Sequence, residues 1–267
     1  MNMELKSRYL DPAWSDTLQA AGLDNMDAWL ALDKEQVDNP NHRWGGISVV
    51  FRRDISAPDG RQQRVYIKHQ KNMFRRARSN PLRRELTYLA EFRNLMRCRQ
   101  LGFEVPKPLF FAIRGKGRDQ ECVMVTENLQ DFVPVKALTS DDVSGVSARR
   151  KLLRDVAHEL ARFHQAGLTH QSLYDRHVMV RWNDAAQRWD VAFIDMEKCR
   201  STRLSGGMYR DLESLSRRSA GWRFAERLYF LREYIGARSL AEDGRKWIAG
   251  IRRAARKKWP QHLVRGR

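Results

Sequence analysis

Two different spacings of apolar residues divide the chain. The runs "RWGGISVVFRRD" and "QQRVYIKHQ", rich in Val, Ile, Phe and Tyr and separated by the turn signal "APDG", read as the strands of an antiparallel hairpin. "VPKPLFFAIRG" and "ECVMVTENL", on either side of "KGRDQ", read as two further strands. Between these pairs Leu86, Leu89, Phe92 and Met96 recur at helical spacing, with Asn80 in a capping position and Pro81 suited to the first helical turn, so one helix is expected from Asn80. Beyond Leu129 the helical spacing dominates. Leu152, Leu153, Val156, Leu160 and Phe163 form one face of a helix over 148–165 that stops at Gly167. Two short strands, "HVMVRW" and "DVAFIDM", joined by "NDAAQR", interrupt this half, and helical segments fill it from Arg210 onward. Ahead of the first strand, "SDTLQAAGL" and "NMDAWLAL" read as brief helices capped by Ser15 and by Asn25 or Asp27. The expected organisation is a helical extension over 1–40, a small sheet with one inserted helix over 41–130, and a mainly helical part over 131–267.

Composition adds little to this picture until charge is counted. At 267 residues, with 42% apolar and 10% aromatic residues, the chain has material for real cores. Cys98, Cys122 and Cys199 share no metal-type spacing and suit a reducing compartment. The start "MNMELKSRYLDPAW" lacks the apolar stretch of a signal peptide, and no apolar run reaches a membrane-spanning length, so a cytoplasmic protein, at most peripheral to a membrane, is expected. The formal charge of +18 is the strongest global signal, because so basic a surface attracts phosphate-rich partners. It is concentrated from Lys68 to Arg84, where no acid occurs, and in the C-terminal "RRAARKKWPQHLVRGR". Nucleic acid, anionic lipid and phosphorylated sugar all remain open on charge alone.

The polar cluster opening the strand at "LTHQSLYDRHVMVRW" holds two histidines, a serine and an aspartate. A metalloprotein reading finds no support, since His158, His164, His170 and His177 are spaced by six, six and seven, with no i, i+4 pair. A hydrolase reading lacks G-x-S-x-G and any local Cys–His pairing. His164 reads as a packed helix residue. The order of the parts is more specific: a glycine-bearing hairpin, a strand lysine, a helix glutamate, two strands, a long helix, a polar loop, and a strand pair ending in aspartate. With the pieces "VYIKHQ", "RRELTYL", "VTENL", "HQSLYDRHV" and "FIDMEK", the chain from about Trp44 to Arg218 resembles the bacterial lipopolysaccharide kinase (Kdo/WaaP) family, in its InaA-like branch.

That resemblance implies a bilobal protein-kinase-like fold of the α+β class, with a small antiparallel N-lobe sheet and a mainly helical C-lobe. It also implies roles. Gly45 and Gly46 would bring backbone N–H groups to phosphate oxygens, although a full G-x-G-x-x-G is missing. Lys68 would face the α- and β-phosphates of ATP and pair with Glu85 on the following helix. Glu127, Asn128 and Leu129 would offer backbone groups to the adenine edge. Asp195, at the end of "VAFI", would hold Mg2+, and His177 would stand where an asparagine usually binds the second metal. Asp211 looks like the aspartate that braces the catalytic loop; a plain helix-start charge is the other reading. His170 and Leu173 match the structural histidine and buried anchor of that loop. Ser172 falls at the catalytic base position, where a hydroxyl cannot accept a proton as a carboxylate does; Asp175, three residues on, is the nearest carboxylate.

The expected activity is therefore an ATP- and Mg2+-dependent kinase of a lipopolysaccharide core sugar, with heptose as the acceptor and the basic blocks docking an anionic glycolipid at the inner membrane. Ser172 and the thin glycine loop leave a pseudokinase as the alternative. A basic nucleic-acid-binding protein is the third reading, weakened because no strand interleaves aromatic and basic residues, and no specific nucleic acid partner is expected.

Overall fold

The computed structural model describes residues 8–43, 45–76, 84–138, 143, 145–201, 205–219, 221–236 and 243–258. The chain separates into two compact units, Met1–Gln130 and Asp131–Arg267.

The first unit runs β1 (Arg8–Leu10), α1 (Ser15–Ala20), α2 (Met26–Ala31), β2 (Glu35–Gln36), β3 (Asn41–Arg43), β4 (Gly46–Ser56), β5 (Gln62–Lys71), β6 (Phe74–Arg76), β7 (Arg84–Leu86), α3 (Thr87–Gln100), β8 (Pro108–Lys116) and β9 (Asp119–Glu127). Its main sheet has the order β1-β8-β9-β5-β4-β2, with β3 also on β4. The anticipated hairpin is β4 and β5, in antiparallel register from Ile47↔Lys71 to Ser56↔Gln62. Gly60, at φ +80°, turns the chain between them.

Alternation along the strands sorts side chains onto the two faces of the sheet. Val65 and Ile67 of β5 enter a core with Trp14, Leu18, Met26, Trp29, Leu109 and Phe110. Lys68 and Gln70 contact α3 instead: Lys68 Nζ reaches Glu91, and Gln70 Nε2 reaches Thr87 Oγ1 at 2.5 Å. The successive aromatics of β8 show the same division, since Phe110 lies 6.1 Å from Trp29 whereas Phe111 stacks on Phe92 of α3 at 4.5 Å. The described residues 8–40 are thus packed into the first unit. Their helices supply the buried Trp14, Leu18, Met26 and Trp29, and β1 pairs with β8 from Arg8↔Ala112 to Leu10↔Phe110. Asn25 caps α2 by accepting from the Ala28 amide at 3.0 Å.

The helix expected from Asn80 begins later. Asn80 and Pro81 lie outside the described residues, and the backbone of Arg84–Leu86 is used in a two-stranded ladder with Phe74–Arg76. α3 therefore starts at Thr87. No side chain of the N-cap residue closes its first turn; Gln70 Oε1 accepts from the Tyr88 amide and Met73 O from the Thr87 amide.

The second unit contains β10 (Val133–Pro134), α4 (Val146–Gln165), β11 (Leu168–Thr169), β12 (Val178–Asn183), β13 (Arg188–Phe193), β14 (Arg200–Ser201), α5 (Ser205–Arg218), α6 (Phe224–Ile235) and α7 (Asp243–Lys258). β10, β12 and β13 form one antiparallel sheet and β11 and β14 a small second one. α4 buries the predicted stripe of Leu152, Leu153, Val156, Leu160 and Phe163. Its end is closed by Gly167, at φ +75°, whose amide donates to His164 O at 3.0 Å. Trp247 of α7 turns inward, with its ring 5.0 Å from Tyr209 and 5.3 Å from Tyr234.

Gly46 shows why the glycine pair is not interchangeable with other small residues. A β-carbon there would collide with the Asn72 carbonyl and meet Lys71 O at 2.9 Å, while Gly45, at φ +77°, faces open space. Gly46→Ala is expected to destabilise the protein by about 1–3 kcal/mol, because the backbone of β5 must give way. Chemical denaturation of the variant beside the parent chain measures this; an unchanged midpoint would contradict it.

Candidate functional site

In the first unit, strand alternation and helix packing bring Lys68 to an acid other than the one expected. Lys68 Nζ lies 2.6 Å from Glu91 Oε1, with the glutamate side chain 3% exposed and the lysine 20%. Glu85, the anticipated partner, stands on β7 and binds Arg75 at 3.3 Å and Arg93 at 2.9 Å. The correction follows from the late start of α3: Glu85 precedes the helix, whereas Glu91 sits one turn into it, three residues after Tyr88. Tyr88 completes the setting. Its ring lies 5.8 Å from Lys68 Nζ, its hydroxyl is 2.6 Å from Ser48 Oγ, and burial pushes its pKa up to about 12, so it stays a neutral phenol.

The glycine turn between β3 and β4 opens onto a hollow lined by His42, Gly45, Gly46, Lys71 and Asn72. Glu127, Asn128 and Leu129 follow the end of β9. The amide of Glu127 donates to Lys107 O and that of Asn128 to Arg64 O, each at 2.9 Å. The Glu127 carboxylate accepts from Trp14 Nε1 at 2.7 Å. A ligand along this stretch therefore meets carbonyl oxygens rather than those two N–H groups.

In the second unit the polar loop is organised by Asp211 of α5, whose side chain is fully buried. Its Oδ2 accepts from the His170 amide at 2.6 Å and its Oδ1 from the Gln171 amide at 2.7 Å. Two successive N–H groups on one carboxylate turn the loop sharply, and Gln171 adopts φ +67°. His164 reaches the same carboxylate from α4, with Nε2 at 3.2 Å, while its Nδ1 lies 2.6 Å from the Tyr234 hydroxyl. Burial and the Asp211 charge push the Tyr234 pKa upward, so the phenol keeps its proton beside Nδ1. Packing was the sequence reading of His164; its carboxylate partner came only from the structure. His170, also buried, has Nε2 2.8 Å from Ile194 O and so ties the loop to the end of β13. Leu173 is fully buried beside it in sequence, as its anchor role requires.

His177 and Asp195 come together through the base of the β12–β13 hairpin, where Val178 faces Phe193 and the Ile194 amide donates to His177 O at 3.1 Å. His177 Nδ1 lies 2.9 Å from Ser172 O, which makes Nδ1 the protonated nitrogen. The lone pair of Nε2 is then 3.5 Å from Asp195 Oδ2 and 3.0 Å from Arg176 Nε. Burial holds the His177 pKa below its ordinary value, only partly offset by Asp195, so the ring is neutral at pH 7. That lone pair accepts from Arg176 Nε, so His177 and Asp195 would share one divalent cation only with Arg176 displaced, water or phosphate oxygens filling the other positions. Among the described residues no group of three or more His, Cys, Asp or Glu side chains is placed to hold a metal. Asp195 is 41% exposed and takes φ +60°, a left-handed turn that aims the carboxylate away from the strand.

Ser172 is 4% exposed, and its carbonyl, as acceptor for His177, is the part with an evident task. Asp175 opens a single 3-10 turn and accepts from the next amide, that of Arg176, at 2.9 Å. Removing the carboxylate in Asp211→Ala would orphan two buried amides and is expected to cost about 3 kcal/mol or more of stability. Asp211→Asn, which keeps one acceptor, should cost less; equal denaturation midpoints for the two variants would refute the bracing role.

Comparison with known proteins places the chain among relatives. The pattern of the Lipopolysaccharide kinase (Kdo/WaaP) family matches residues 27–234, a span that includes Lys68, Glu91, His170, His177, Asp195 and Asp211. Protein InaA of Escherichia coli (strain K12) is 25% identical over 185 residues, covering 68% of this chain and 81% of that protein. Among solved structures, WaaP in complex with acyl carrier protein has the same fold, with a TM-score of 0.67 at 20% identity over 95% of this chain and 99% of that one. With most of its length inside the family pattern, the chain belongs to the lipopolysaccharide kinase (Kdo/WaaP) family.

Proposed function

We propose that this protein is an ATP- and Mg2+-dependent phosphotransferase that modifies a heptose hydroxyl of the lipopolysaccharide core at the cytoplasmic face of the inner membrane. The observation that carries the reading is the largely buried Lys68–Glu91 pair at 2.6 Å. A lysine held by a desolvated carboxylate, with the Tyr88 ring beside it, is fixed in direction and suited to a polyphosphate. His177 and Asp195 would hold Mg2+, which when bound neutralises charge on the phosphate oxygens. The turn at Gly45 and Gly46 would bring backbone N–H groups to phosphate oxygens. Lys71 and Arg43 beside it add positive charge. The net charge of +18 favours an anionic glycolipid at a charged membrane surface. None of the helices among the described residues is long and apolar enough to cross a membrane.

Ser172 bears on rate rather than on binding. Phosphoryl transfer rests mainly on positioning and charge neutralisation, and loss of a general base lowers the rate by about 10² to 10⁴. A slow kinase is the outcome we expect. The second reading, a nucleotide-binding protein without turnover, draws on the same serine and on Asp175 being engaged with its neighbouring amide.

Incubation with γ-labelled ATP, Mg2+ and purified lipopolysaccharide separates the two. Label transfer is expected in the parent chain, reduced by about 100-fold or more in Lys68→Met and Asp195→Ala. Ser172→Asp should raise the rate by about tenfold or more if the hydroxyl stands where a base belongs. Glu91→Gln should lower kcat/KM by about tenfold while Glu85→Gln stays within about threefold, because only Glu91 orients the lysine. ATP binding without transfer at any metal or acceptor concentration would establish the second reading.

A further inference from the structure

The short hairpin of β6 and β7 carries an arrangement that a folded protein ordinarily avoids. Its register sets Phe74 opposite Leu86, Arg75 opposite Glu85, and Arg76 opposite Arg84. The first pair is apolar, with Leu86 buried, and the second is a salt bridge reinforced by Arg93 of α3. The third pair places two exposed guanidinium groups directly across from each other, where like charges destabilise a sheet. Among the described residues neither Arg76 nor Arg84 has a carboxylate at ion-pair distance, and Glu85, the acid beside them, is committed to Arg75 and Arg93. The seven residues that connect the two arginines in sequence contain no acid and add Arg78 and Arg83.

We propose that Arg76 and Arg84 form a clip for a phosphate monoester and that its occupation steadies the Lys68–Glu91 pair. Arginine offers a planar fork of donors matched to phosphate oxygens, and two forks across one strand pair can take opposite sides of a dianion. The repulsion of the empty pair then becomes an attraction shared by both strands. The connection to Lys68 is covalent and short. β7 passes directly into α3, the Thr87 amide donates to Met73 O, the Tyr88 amide to Gln70, and Glu91 follows one turn later. Closing the hairpin fixes the start of the helix that carries Glu91, so anion binding and the organisation of Lys68 are reciprocally linked. The inference rests on the kinase reading for its purpose: an acceptor that already bears phosphate would arm the lysine for the nucleotide. The clip itself does not require turnover.

Hydrogen exchange of the α3 segment around Thr87–Glu91 tests it, with glucose 6-phosphate and with phosphatidylcholine vesicles containing phosphatidic acid as separate probes. Glucose and pure phosphatidylcholine vesicles are the uncharged controls. Slower exchange by about tenfold with either phosphate-bearing probe is expected in the parent chain and in Lys68→Met, and lost in Arg76→Gln/Arg84→Gln. The effective probe tells whether the phosphate sits on a soluble sugar or on a lipid. Arg76→Glu, which supplies an opposite charge across from Arg84, should keep or raise the melting temperature while abolishing the response. Protection by neither probe, or protection undiminished in the double variant, would overturn the clip. A response intact in Lys68→Met with no phosphate transfer in the parent chain would leave the clip standing and remove the kinase reading.

Discussion

One carboxylate with no exposure to solvent sets the geometry of the second unit. Asp211 holds the amides of His170 and Gln171 on its two oxygens and is itself held by His164, which Tyr234 fixes in turn. An ionised group is costly to bury, and this one is retained because every oxygen has a donor. The consequence extends outward from the loop. With His170 pointed at Ile194 O and His177 at Ser172 O, the residues after the loop enter β12 with a defined face toward β13. His177 and Asp195, eighteen positions apart in the chain, meet because that hairpin closes at their level.

The first unit depends on a simpler constraint, the two-residue period of β5. Val65 and Ile67 must enter the core formed with α1 and α2, so Lys68 and Gln70 are delivered to α3. Gln70 secures the first turn of the helix and Lys68 finds the acid one turn further on. A one-residue slip of β5 would reverse both faces, and that is why the long β4–β5 register matters to a lysine at its far end.

Much of this could be read before any coordinates were in hand, and the failures have identifiable causes. The strands and α4 were legible because their apolar spacing is unambiguous and their ends carry turn residues such as Gly60 and Gly167. Lys68 and Asp195 stand out in the sequence because each follows an apolar run, and His177 because it opens one. Glu85 was misassigned because an acid shortly after a strand lysine satisfies a spacing, and spacing cannot show that Arg84–Leu86 is still extended. A signal for Glu91 was nevertheless present: it stands between Tyr88, Phe92 and Leu95, a charge on an apolar helix face that needs a partner. The standing of residues 1–40 was hidden for another reason. Short helices with modest apolar content look peripheral until the sheet they cover is known.

The sequence by itself determined the periodic elements, the sign and size of the charge, and which polar side chains the loop before β12 carries. These are properties of local spacing and side-chain type. Tertiary structure alone decided which acid neutralises Lys68, which donors satisfy Asp211, and that two arginines of one hairpin stand opposite each other in register. Those outcomes depend on strand register and on where a helix begins, and both are settled by long-range packing and ladder hydrogen bonds that no short stretch of sequence contains.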